Sequence, residues 1–219
     1  MPKPRTPDAY LLVEGEDDQH VVWHLCEQHS LPEQFAVEIP EGNVGLTGLL
    51  AGIPSRVKTP GLRTLGIMLD ADADIGARWQ AVRDRLQDRA ILQDRAYSAV
   101  PAILPPDGWV SSEPGLPRVG VWLMPDNQRG GMLEDFAANL IPGDDALLSK
   151  AEAALQDIEG VGLQRYRLVH RPKALIHTWL AWQENPGHPM GTAIKAGALR
   201  HDAPLALAFV AWLRRLFDL

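Results

Sequence analysis

The residues equipped for chemistry are carboxylates, and they come in groups that each follow a short apolar run. Tyr10-Leu11-Leu12-Val13 runs into Glu14-Gly15-Glu16-Asp17-Asp18, and Arg63-Thr64-Leu65-Gly66-Ile67-Met68-Leu69 runs into Asp70-Ala71-Asp72-Ala73-Asp74. A third group follows Arg118–Met124: Asp126 after Pro125, then Glu134 at the start of an apolar helical stretch. Crowded carboxylates repel one another unless a cation stands between them. Carboxylate and water oxygens in a rough octahedron suit Mg²⁺ or Mn²⁺. In extended chain, side chains two apart point the same way, so Asp70, Asp72 and Asp74 are candidates to face one ion. Glu14 and Asp18 straddle a helix start and are close enough to share a cavity. Such ions activate water and neutralise phosphate charge.

Several of these residues have plainer readings. Glu14-Gly15 alone also describes a solvated glycine turn. Asp74 suits a helix N-cap, and Glu16 and Asp17 suit the positive end of a helix dipole. Asp126 also fits a turn, and Glu134 a helical first turn. The one basic concentration is Arg165, Arg167, His170, Arg171 and Lys173. It reads either as a solvated helix start or as a phosphate-binding surface. His177 fits a half-buried helix position better than a base. Trp179, Trp182 and Trp212 fit a core better than a base-stacking platform.

The elements that must position these groups follow from periodicity. Strands are expected over Ala9–Val13, Phe35–Ile39, Arg63–Leu69 and Arg118–Met124. Near-continuous apolar runs are what strands covered on both faces require. Helices are expected after Glu14, ending near Ser30-Leu31-Pro32; over Val44–Ile53; and along the stripe Ile75, Trp79, Val82 and Leu86. Further helices are expected from Met132 to about Leu140, over Ala146–Ile158 behind Pro142-Gly143-Asp144-Asp145, over Lys173–Trp182 and over Pro204–Phe217. Pro40-Glu41-Gly42-Asn43 reads as a loop, and no Gly-Lys-Ser/Thr follows the nearby glycines to make a phosphate-binding loop. Alternation of strands and helices predicts an α/β fold, a mostly parallel sheet flanked by helices. Residues 1–8 are expected to be a disordered lead and 9–142 the α/β domain, with a Pro/Gly-rich arm over about 101–117 that holds Trp109 and Val110. Residues 143–219 form a helical extension packed on it.

The 219 residues suffice for one large domain. Net charge is −7, which argues against binding nucleic acid through general positive charge alone, though bound cations would offset it locally. No apolar run reaches the ~18 residues that span a bilayer, and Met1–Pro7 is too polar and proline-rich for a secretory signal. The lone Cys26 reads as a small buried thiol, and a cytoplasmic protein with no membrane partner is expected.

Val13-Glu14-Gly15 followed by Leu69-Asp70-Ala71-Asp72 resembles the TOPRIM domain, the metal-binding module of topoisomerases, bacterial primases, recombination mediators and OLD-family nucleases. The resemblance covers roughly Ala9 to Leu140. It is strongest to small stand-alone TOPRIM proteins and to the nuclease half of OLD proteins, where Asp18 matches the acidic residue four after the first glutamate. Glu134 matches the later helix-start glutamate and Lys173 the lysine beyond it. The resemblance implies a TOPRIM-like fold and Mg²⁺ or Mn²⁺ held by Glu14, Asp18, Asp70, Asp72 and Glu134, with Asp126 a further candidate. It also implies cleavage of nucleic acid, DNA or RNA, with Glu14, Asp70, Asp72 and Lys173 catalytic. Arg165, Arg167, Arg171 and Lys173 would meet the nucleic acid. Small TOPRIM proteins often serve systems that act on invading DNA.

Two rival readings stay open. One is a TOPRIM scaffold that binds metal and nucleic acid, or a partner protein, without turnover; under either reading a homodimer or a partner protein is a candidate association. The other is a haloacid-dehalogenase-like phosphotransferase with Asp70 as nucleophile. The second departs from its pattern because Asp74 stands where Thr or Val is usual and the strand bearing Asp70 is not the first.

Overall fold

The computed structural model describes residues 8–40, 45–111 and 113–219. In chain order the elements are β1 (Ala9–Leu12), α1 (Glu16–Gln28), β2 (Ala36–Glu38), α2 (Gly45–Val57), β3 (Thr64–Asp70), α3 (Ile75–Gln87) and the single turn α4 (Arg89–Leu92). There follow β4 (Trp109–Val110), β5 (Arg118–Met124), α5 (Leu133–Ala138), α6 (Ala146–Gly160), α7 (Arg171–Ala181), α8 (Met190–Lys195) and α9 (Pro204–Phe217).

The strands form one sheet in the order β2-β1-β3-β5-β4. All neighbours run parallel except β4, which pairs antiparallel with β5 through Trp109↔Val121 and Val110↔Gly120. The α/β class and the mostly parallel sheet expected from the sequence are therefore present.

Strand side chains alternate between two cores, as the pleat requires. Leu11, Met68 and Trp122 face a layer made by α1, α5 and the helices from α6 to α9. Leu12, Ile67, Leu69, Val121 and Leu123 face α2 and α3. The C-terminal helices thus supply most of the cover on one face of the sheet. Among them α9 seats closest. Gly66 and Gly120 are register partners on β3 and β5, and a Cβ on Gly120 would lie 2.7 Å from Leu216 Cδ1. A Cβ on Gly66 would lie 2.6 Å from Leu11 Cδ1 and 3.0 Å from Leu216 Cδ2. These two paired glycines, on adjacent strands, make the trough that Leu216 fills.

Some expectations shift. Helix α2 continues past Ile53 through Pro54 to Val57, and the six-residue α8 was not foreseen. Gly191 at its start lets α8 approach α1, since a Cβ there would lie 2.7 Å from His20 O. Asp8, expected in the disordered lead, accepts the backbone N–H groups of Arg63 and Thr64 through its carbonyl oxygen and pairs with the Arg63 side chain. The rest of that lead, and the loop expected at Glu41–Asn43, lie outside the described residues. Trp179 and Trp212 are fully buried, whereas Trp182, expected in the core, is 44% exposed because it stands just past the last residue of α7. Cys26 is half-buried against the α1 core. Among the described residues no helix is long and apolar enough to cross a membrane.

Helix α1 leaves β1 toward one face of the sheet and α2 leaves β2 toward the other. Strand order therefore reverses between β1 and β3, and the crevice at their carboxyl ends is where open α/β sheets place ligands.

Candidate metal and phosphate site

The apolar run of β1 ends at the fully buried Val13, and Glu14 is the first side chain beyond it. Its Oε1 accepts the backbone N–H of Asp70 at 2.7 Å, so the carboxyl ends of β1 and β3 are joined through a carboxylate. Gly15 then leads into α1, and Asp18, one turn along, accepts the Gly15 N–H through Oδ2 at 3.0 Å.

Asp70 Oδ1 accepts the N–H of Leu133 at 2.9 Å. That contact depends on Gly130-Gly131. Gly131 exchanges two backbone hydrogen bonds with Asp72, at 2.7 and 2.9 Å. A Cβ on Gly130 would stand 2.6 Å from Asp72 O, and one on Gly131, at φ +146°, 2.8 Å from Asp135 Oδ2. Only residues without side chains bring the start of α5 against the end of β3. Glu134 follows. It is 2% exposed, and its Oε1 accepts from Lys173 Nζ at 2.6 Å. Lys173 comes from the first turn of α7 and has a half-exposed side chain.

Glu14, Asp18, Asp70, Glu134 and Lys173 line one cavity of about 780 Å³, together with Gly15, Glu16, Asp17, Ile39 and Leu133. Six carboxylates therefore share the cavity wall with one ammonium, Glu16 and Asp17 from the exposed first turn of α1 and the other four from deeper positions. Burial, then the neighbouring carboxylates, push Asp70 up to about 8. Burial and then Glu14 push Asp18 up to about 7. Burial raises Glu14 too, against the opposing Asp70 N–H. At Lys173 partial burial disfavours the charge, but the hydrogen bond and charge of Glu134 outweigh it and the pKa is raised.

Glu14, Asp18, Asp70 and Glu134 each have one oxygen held by a protein N–H and a second with no such partner among the described residues. The second oxygen of Glu134, Oε2, is buried and unpaired. A buried acceptor in that state costs about 1–3 kcal/mol. No group of three or more His, Cys, Asp or Glu among the described residues is arranged to hold a metal ion. The side chains are turned onto their N–H donors instead.

Not every residue anticipated for the site reaches it. Asp72 is a half-exposed side chain paired with Arg78 and does not line the cavity. The alternation that would have aligned it with Asp70 fails because β3 ends at Asp70 and Asp72 adopts φ +53°. Asp126 also lies outside the lining; it accepts from the N–H groups of Gln128 and Arg129 and pairs with the Arg129 side chain, as a turn residue does. Asp74 caps α3 through the Ala77 N–H. Arg171 is held by Glu159, while Arg165 and Arg167 are exposed; of the basic group only Lys173 enters the cavity. His177 is exposed rather than half-buried.

Arg78 is the residue that sequence reasoning missed. Its side chain is only 11% exposed, its Nε is buried without a partner, and its charge lowers the Glu14 pKa. In the sequence it is one arginine among several on the polar side of α3.

Residues 8–218 match one family, described as protein of unknown function (DUF3226). The chain belongs to the DUF3226 family. No curated protein and no solved structure matches it. The family match spans both layers of the DUF3226 sheet and every residue of the cavity, but its description assigns no reaction, so function is argued from the cavity itself.

Proposed function

We propose that this chain is a TOPRIM-like, divalent-metal-dependent nuclease or related phosphodiesterase acting on DNA or RNA. The observation that carries the reading is the convergence of Glu14, Asp18, Asp70 and Glu134, from three separate segments, around one open cavity. The donor set is all oxygen, as Mg²⁺ or Mn²⁺ prefers. The unpaired Glu134 Oε2 and the open second oxygens of the other three fit a cation that draws them inward. When bound, such an ion polarises a phosphate and lowers the pKa of an attacking water. Asp72 and Asp126 are not part of the proposed set.

The chain's own groups have distinct tasks. The Asp70 N–H orients Glu14, and the Leu133 N–H orients Asp70. Lys173 holds Glu134 and stands at the cavity wall, where its ammonium would bind a phosphate oxygen and offset charge on the leaving oxygen. Purified protein with Mg²⁺ or Mn²⁺ is expected to cut single- or double-stranded DNA or RNA. Full cleavage by both Glu14→Gln and Asp70→Asn would overturn the reading.

A second reading, a scaffold that binds metal and nucleic acid without turnover, draws on the side chains being turned onto N–H donors and on Lys173 being the one cation of the basic group that lines the cavity. Salt-sensitive binding without cleavage under any divalent ion would select it. Nothing in the geometry favours the phosphotransferase.

A further inference from the structure

Helix α6 carries a partly exposed apolar stripe on one flank, beside its buried side. Leu147, Ala154, Ile158 and Val161 are spaced seven, four and three residues apart, which places them within about 60° on one side of a helix at 100° per residue. The buried side of α6, Ala151 and Leu155, adjoins the stripe along one edge. Leu147 is 37% exposed, Ile158 40% and Val161 69%, and Ala154 is half-buried. The turn after the helix is held rigidly: Leu163 N–H bonds to Ile158 O at 3.0 Å and Gly162 N–H to Glu159 O at 3.1 Å. Leu163, which follows that turn, is 65% exposed.

Along one flank of the stripe stand Lys150 and Asp157, both exposed and neither engaged in an ion pair or side-chain hydrogen bond among the described residues. Seven residues separate them, about 10 Å along the helix axis, so they do not pair within one chain. Two antiparallel helices related by a two-fold axis bring like flanks together. An axis passing near Ala153 and Ala154 sets Lys150 of one chain opposite Asp157 of the other, twice over. The same axis sets Leu147 against Val161 and puts the small Ala154 at the crossing, where backbones approach closest.

We propose that a second copy of this chain docks here, α6 against α6, antiparallel about a two-fold axis. The antiparallel register pairs large apolar side chains with each other and Lys150 with Asp157, the self-complementarity an isologous interface requires. Aliphatic rather than aromatic side chains make it a poor platform for nucleotide bases. The proposal is independent of the cavity chemistry.

The test is the mass in solution of the full chain at high micromolar concentration, by sedimentation equilibrium, with circular dichroism to check folding. The wild-type chain is expected to be a dimer. Ile158→Asp should dissociate it. Lys150→Glu or Asp157→Lys alone should weaken it by about tenfold, because each places like charges opposite one another at two symmetric points. The double variant Lys150→Glu/Asp157→Lys reverses the pattern and should restore the dimer. A monomeric wild-type chain overturns the proposal, as does a dimer indifferent to Ile158→Asp. A double variant no tighter than the singles overturns the antiparallel register.

Discussion

Glu14 and Asp70 are 56 residues apart in the chain and directly bonded, the carboxylate of the first accepting the backbone N–H of the second at 2.7 Å. The bond uses only one Glu14 oxygen and leaves the Asp70 side chain free to be set by Leu133. Both acids are thus positioned by backbone groups, so amide replacements that keep a carbonyl oxygen can keep the position while losing the charge.

Glu14→Gln and Asp70→Asn are therefore expected to fold normally and to lose cleavage by at least ~10²–10³-fold. The check is a metal-dependent nuclease assay beside thermal unfolding of the same preparations.

Asp72→Asn should behave differently. Asp72 faces Arg78 outside the cavity at φ +53°, a backbone shape that asparagine also tolerates. Activity is expected to fall by less than about tenfold, well short of the Asp70→Asn loss. Equal losses in the two variants would return Asp72 to the ligand set.

Stability should depend on pH in a defined direction. Asp18 and Asp70 have folded-state pKa values raised to about 7 and about 8, above their ordinary carboxyl value near 4. Between those limits the folded state binds more protons than the unfolded state, so stability falls as pH rises. On this account, melting of the chelator-treated protein is expected to be highest at and below about pH 4 and to decline toward pH 8. Mg²⁺ or Mn²⁺ should raise the melting temperature at pH 8 and have little effect at pH 5, because protons compete with the ion. An ion effect independent of pH would remove these carboxylates from the binding set.

Lys173→Ala removes the cation from a nearly fully buried carboxylate and leaves both Glu134 oxygens unpaired. Urea denaturation should show a loss of about 1–3 kcal/mol, and Glu134→Gln in the same chain should recover part of it by removing the charge. Lys173→Arg should preserve more stability than Lys173→Ala.

Much of this was legible in the chain. The strands β1, β3 and β5 are near-continuous apolar runs, as strands covered on both faces require. The stripe Trp79, Val82 and Leu86 is buried as its spacing required. Glu14, Asp18, Asp70, Glu134 and Lys173, the residues marked by the sequence pattern and its resemblance, line one cavity. Asp72 could not be placed because the direction of a side chain beyond a strand end depends on one backbone angle, here fixed by pairing with Gly131. Arg78 was hidden because helical periodicity separates buried from exposed faces but does not mark which polar residue lies beside a strand end. Trp182 misled for the opposite reason: its type suggests burial, while its position one residue past α7 decides otherwise.

The glycine trough on β3 and β5 makes the far end of α9 part of the sheet's packing. A chain cut short of Leu216 would keep every residue that lines the cavity yet leave Gly66 and Gly120 beside an unfilled apolar groove, exposed surface of the kind that favours aggregation. Lost activity in such a truncation would report a failed sheet surface rather than a missing catalytic group.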